Sequence, residues 1–129
     1  MIGLPSLAQL DRSSSIDGAR IWLATSPADM RCGFDRLAEL ARLVTQQDPM
    51  SGHLFLFRSR GGDRLKVLYW DRDGYALWYK RLEQGVFRLP RPPVDGAKSV
   101  ELRASELAML LDGIDLRSVK RVTRYEKKK

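Results

Sequence analysis

Between His53 and Leu89 the chain alternates short apolar runs with Gly-containing turns, a pattern that predicts an antiparallel meander of strands. His53-Leu54-Phe55-Leu56-Phe57-Arg58 is apolar on both alternating sets of positions, as in a strand covered on both faces. Gly61-Gly62-Asp63 is a turn signal. In the next run Leu65, Val67 and Tyr69 share one face, and Arg64, Lys66, Leu68 and Trp70 the other. Asp71-Arg72-Asp73-Gly74 makes a second turn, Tyr75–Leu82 a third strand and Glu83-Gln84-Gly85 a third turn. Val86–Leu89 reads as a fourth, short strand, ended by Pro90.

The flanks supply helices. Arg20–Ala24 is a short aromatic and β-branched run that reads as a strand, ended at Thr25-Ser26-Pro27. Phe34, Leu37, Ala38, Leu40, Ala41 and Val44 then recur at helical spacing, which predicts a main helix over about 33–46 that stops before Asp48-Pro49. Ser99–Leu102 is a further short strand, and residues 105–112 a short helix with Gly113 as its stop. The class is therefore α+β: an antiparallel meander sheet of about four to five strands packed with one main and one short C-terminal helix. A length of 129 residues suits one domain, assigned to 20–116. Residues 1–19 read as a flexible arm and 117–129 as a basic tail, either disordered alone or helical on a partner.

A single cysteine, Cys32, and a single histidine, His53, cannot furnish a zinc site of the usual ligand set. Any Ser-His-Asp or Cys-His mechanism would have to use His53. There is no apolar run long enough for a membrane span and no signal-peptide pattern at the N-terminus, so a cytoplasmic protein is expected, with no membrane partner, cofactor or small-molecule substrate.

Charge is unevenly placed. The net charge is +7, but between Arg58 and Arg91 nine cations face four carboxylates, and from Arg117 onward seven cations face only Glu126. The remainder is slightly acidic. Such a layout suits a polyanion, with nucleic acid the natural candidate.

The carboxylates invite a test as a metal-dependent nuclease site. Asp63, Asp71 and Asp73 all fall in turns, where Asp bonds the local backbone, and one strand length should separate the first from the others. Carboxylates at opposite ends of a sheet cannot share a metal. His53, at a strand start, reads as a hydrogen-bonded structural residue, and Cys32 as a packing thiol. Gly61-Gly62 lies between strands and lacks the strand-to-helix context of a phosphate loop. The basic sheet is the stronger signal: Arg64 and Lys66 share a face, and Trp70 and Trp78 are expected near each other on adjacent strands. Cations interleaved with aromatics can track phosphates and stack on bases, although Trp70, Tyr75 and Trp78 equally suit a core under the helix.

Several motifs together resemble a known family. Arg20–Asp35, Asp48–Arg58, Gly62–Asp71 with Gly74, Tyr79–Glu83 and Leu107–Leu116 occur in the order seen in TnpB-type accessory proteins of insertion sequences of the sixty-six family, the products of the second open reading frame. The arm before Arg20 looks longer than is usual there, and the basic extension after Leu116 lies outside the pattern. The resemblance implies a bacterial mobile-element protein that assists transposition without being the transposase, and it supplies no catalytic residues.

The expected function is thus a non-enzymatic accessory factor that binds DNA at the element ends through phosphate contacts from Arg58, Arg60, Arg64, Lys66, Lys80, Arg81 and Arg88. An RNA partner is left open. The alternatives are an interaction module that docks the transposase or another element-encoded protein through exposed aromatics, and, ranked last, the nuclease.

Overall fold

The computed structural model describes residues 19–90, 92 and 94–113. The arm, apart from Ala19, and the basic tail lie outside the described residues. The elements are β1 (Ile21–Ala24), α1 (Phe34–Thr45), β2 (Leu54–Arg58), β3 (Arg64–Asp71), β4 (Gly74–Arg81), β5 (Ser99–Leu102) and α2 (Ala104–Leu111). They form one α+β arrangement around a five-stranded sheet of order β4-β3-β2-β1-β5.

The meander covers β2, β3 and β4, paired antiparallel with Phe55 opposite Leu68 and Val67 opposite Trp78. The sheet as a whole is mixed. β1 runs parallel to β2, with Trp22 opposite Phe55, because the chain crosses back through α1 before starting β2. β5 then adds antiparallel to the other side of β1.

Side-chain alternation divides the core into two layers. Leu37, Ala38 and Ala41 of α1 pack on Ala24, Phe55, Phe57 and Leu68, with Trp22, Tyr75 and Leu77 at the margin. On the opposite face Ile21, Leu23, Leu54, Leu56, Leu65, Val67 and Tyr69 lie under Leu107 and Leu110 of α2 and under Phe87. This explains the doubly apolar β2: Leu54, Phe55, Leu56 and Phe57 are all buried, one pair on each face.

The helix ends follow local chemistry. Asp35 sits in the first turn of α1 and Arg42 in the last, each complementing the helix dipole. Gln46 then turns left-handed (φ 61°) and donates its N–H to Arg42 O. In α2 the Glu106 carboxylate accepts the Arg103 N–H at 2.8 Å, and Gly113 takes the left-handed conformation (φ 87°) just beyond the end.

Two expectations change. Val86–Leu89 is not a strand. The Leu82 N–H donates to Asp63 O (2.7 Å) and the Phe87 N–H to Gly62 O (2.8 Å), so this segment is a strap whose donors serve the β2–β3 turn. Phe87 is thereby buried beneath the sheet instead of extending it past β4. The second change concerns the tryptophans. A two-residue loop sets Asp71 opposite Gly74, so Trp70 pairs with Tyr75 and Trp78 with Val67. Trp70 and Trp78 therefore lie on opposite faces. Trp70 instead meets the Tyr75 ring edge-on at 5.0 Å.

Candidate nucleic-acid interface

The register gathers cations at one end of the sheet. Arg64 starts β3, Arg81 ends β4 directly opposite it, and Arg58 ends β2 opposite Leu65. Because β1 and β2 are parallel, the loop after β1 leaves from this same end. The Ala28 N–H donates to Arg58 O at 2.9 Å, which ties that loop to the β2–β3 turn. A depression of about 420 Å³ opens between them, lined by Pro27, Ala28, Asp29, Met30, Arg31, Ser59, Arg60 and Arg64.

The electrostatics of this depression are lopsided. Asp29 and Arg31 form a bidentate pair, with Arg31 Nη2 to Asp29 Oδ2 at 2.7 Å. Those bonds hold the Asp29 carboxyl far below the usual carboxylate range, so its charge is present at neutral pH and offset by Arg31. Arg60 is exposed, and Arg64, which is half-buried, makes no salt bridge among the described residues. Arg64 also faces Arg81 across the strands, a like-charge pair that destabilises a sheet unless a counter-charge is near. Arg81 has one in Glu83, at 3.0 Å.

The other expected contact residues divide by face. Arg64 and Arg81 share the α1 face; Arg58 and Lys80 belong to the α2 face. Lys80 and Arg88 are exposed. Arg58 and Arg88 line a second, smaller depression of about 250 Å³ with Thr25, Leu89 and Pro90. Arg58 donates from Nη1 to Phe87 O at 3.2 Å, while its Nε is buried with no hydrogen-bond partner.

Lys66 is placed quite differently. It is 6% exposed, and its ammonium donates to Met30 O (2.7 Å) and Cys32 O (2.9 Å) with the Tyr79 ring 4.8 Å away. A cation so engaged positions the loop that bears Arg31 and is not at the surface to meet a phosphate. Sequence alternation correctly put Lys66 beside Arg64 but could not show that the loop after β1 folds over it. Arg31 is the residue that reasoning missed. Its signal was the Asp29-x-Arg31 pair just after Pro27, but nothing local reveals that β1 and β2 end side by side.

The opposite end of the sheet carries Asp71 and Asp73, a full strand away from Asp63. Among the described residues no group of three His, Cys, Asp or Glu side chains could hold a metal ion. His53 also lies at that end. Its Nδ1 accepts the Arg20 N–H at 2.9 Å, and burial, with nearby Arg20 contributing, pushes its pKa below the ordinary value. Arg20 in turn pairs with Glu101 at 2.7 Å, holding that carboxyl below its usual range. The histidine is thus a structural acceptor.

Residues 19–121 match the family described as IS66 Orf2 like protein, TnpB_IS66. The chain belongs to the IS66 Orf2-like family. Two relatives from Sinorhizobium fredii (strain NBRC 101917 / NGR234) agree with this. One, the uncharacterized protein y4hO, is 42% identical over 98 residues, which span 76% of this chain and 83% of that protein. The other, the uncharacterized protein y4jC, is 40% identical over 104 residues, 81% of this chain and 86% of that protein. No solved structure gives a significant match. Membership of the IS66 Orf2-like family points to an accessory role in transposition of an insertion sequence. No described helix is long and apolar enough to cross a membrane.

Proposed function

We propose that this IS66 Orf2-like protein is a non-enzymatic accessory factor that binds DNA of its element through the cationic end of the sheet. The observation that carries the reading is the convergence of Arg31, Arg60 and Arg64 on one depression. Among the described residues that line it, the single carboxylate, Asp29, is already engaged by Arg31. Arg81 extends that surface on the same face, Arg58 and Lys80 extend it on the other, and Arg88 lines the smaller depression beside Arg58. Lys66 supports the surface from below by fixing the loop through Met30 and Cys32. Guanidinium groups suit phosphate oxygens, because their planar donor fork matches them in pairs. Contacts of this kind position a protein on a duplex without reading its sequence.

The test is equilibrium binding of the full chain to duplexes bearing the element's terminal repeats and to random duplexes of equal length, at several salt concentrations. Affinity is expected to fall linearly on logarithmic axes as salt rises, by an amount set by the number of phosphates contacted. Binding that is absent, or flat between low and moderate salt, overturns the reading. A preference for the terminal repeats would mark base contacts in addition to these phosphate contacts. Docking of the transposase is the second reading, favoured by the exposed apolar side chains Phe34 and Leu43 on α1. A nuclease-resistant pull-down with the transposase is its check.

A further inference from the structure

β4 is an edge strand. It pairs with β3 on one side, and no described segment pairs with it on the other. At eight residues it is twice the length of β5, the strand on the opposite edge. Long unprotected edges are templates for further strand pairing, and proteins usually blunt them with proline, bulges or charge along their length. Here the charge is confined to the ends: Lys80 and Arg81 close the strand, while Asp71, Arg72 and Asp73 precede its start with a net single negative charge. Between them run Tyr75, Ala76, Leu77, Trp78 and Tyr79.

That arrangement is self-complementary. A two-fold axis normal to the sheet would set two β4 strands antiparallel with their α1 faces on the same side. Opposed residues must then share a face, so their numbers sum to an even value. With the axis at Leu77, Leu77 lies opposite its own copy, and Tyr75 opposite Tyr79 of the second copy. Asp73, in the turn just before β4, then comes beside Arg81 of the second copy, twice over by symmetry, where it adds to the Glu83 carboxylate that Arg81 already pairs with. The edge also has the backbone groups to spare. In a two-residue hairpin the closing pair, Asp71 with Gly74, exchanges hydrogen bonds. The even-numbered residues of β4 thus serve β3, and Tyr75, Leu77, Tyr79 and Arg81 point their N–H and C=O groups outward.

We infer that the occupant of this edge is a second copy of the chain, joined β4 to β4 in an isologous dimer. Aromatic and apolar cross-strand pairs stabilise the centre, and opposite charges fix the register at both ends. The two cationic ends then lie at diagonally opposite corners of one continuous sheet. This inference shares Arg81 with the DNA-binding reading, but its readout, the oligomeric state, can fail or hold without DNA binding.

Sedimentation equilibrium of the full chain tests it, with Asp73→Arg, Arg81→Asp and the double exchange beside the unaltered protein. Asp73 is an exposed turn residue, so its replacement leaves the core untouched. The unaltered chain should dimerise, Asp73→Arg should weaken the dimer at least about tenfold by setting two like-charge pairs in register, and the double exchange should recover most of that loss. In a Cys32→Ser background, Leu77→Cys should form an intermolecular disulfide on mild oxidation, since opposed Cα atoms about 5.5 Å apart lie within disulfide reach. A monomer at every concentration overturns the inference. So does a dimer that is indifferent to Asp73→Arg and gives no cross-link with Leu77→Cys, because its interface would lie elsewhere.

Discussion

Three side chains, His53, Glu101 and Lys66, have measurable consequences for stability. His53 accepts the Arg20 N–H through Nδ1, so protonation of that nitrogen removes the bond. Its pKa is lowered in the folded chain, chiefly by burial. Between the lowered value and the ordinary one near 6.5, the unfolded chain takes up a proton that the native chain refuses, so stability rises with pH across that window. The contribution is complete above about pH 7 and is lost as the pH falls. Urea midpoints from about pH 8 to about pH 5 should decline for the native sequence, and the His53 part of that decline should vanish in His53→Gln. The Glu101 carboxyl acts in a different window, since its lowered pKa stabilises above the carboxylate range and the effect is lost only as pH drops through it. Lys66→Met keeps the apolar stem but strips two carbonyls of a charged donor, for an expected loss of about 1–3 kcal/mol in chemical denaturation. Its loop should loosen as well, weakening any ligand held by Arg31.

At the scale of elements, the strap over residues 82–90 decides how the meander ends. Gly62 sits at φ 83°, and a Cβ there would come within 3.2 Å of Val86 Cβ, so both conformation and the close approach of the strap demand glycine. Gly62→Ala should destabilise by about 1–2 kcal/mol, measurable as a lowered urea midpoint with unchanged slope. Phe87→Ala should cost more, about 3–5 kcal/mol, because it empties the space beneath the sheet that the strap was drawn in to fill. The strap also shows where sequence stopped being informative. Alternation and Gly-bearing turns located β2, β3 and β4 correctly, and helical spacing located α1 to within a residue at each end. Those signals are local. Whether Val86–Leu89 pairs with β4 or folds under the β2–β3 turn depends on which distant carbonyls receive its N–H groups, and Gly85 permits either path. The tryptophans illustrate the same limit: one residue of register at the Asp71–Gly74 loop sends Trp70 and Trp78 to opposite faces.

For the molecule as a whole, the parallel pairing of β1 with β2 matters most. It brings the loop bearing Asp29 and Arg31 to the end of the sheet where Arg58, Arg60, Arg64 and Arg81 already gather, and so polarises the domain. Most of those arginines were legible from sequence because they flank the meander's turns; Arg31 was not, because its place depends on a pairing between segments separated by a helix. Lys66, which shares the strand face of Arg64 and Arg81, was legible as a neighbour but not as a buried one. Whether this end binds phosphates is read from the salt dependence of duplex binding for the native chain and for a variant carrying Arg31→Ala, Arg60→Ala and Arg64→Ala. All three side chains border the open depression, and none belongs to the buried core. The native chain should lose affinity steeply with salt, and the variant should bind more weakly with its logarithmic slope reduced by about one for each phosphate contact removed. Equal affinity and equal slope in the two proteins, with the fold intact, would contradict the account.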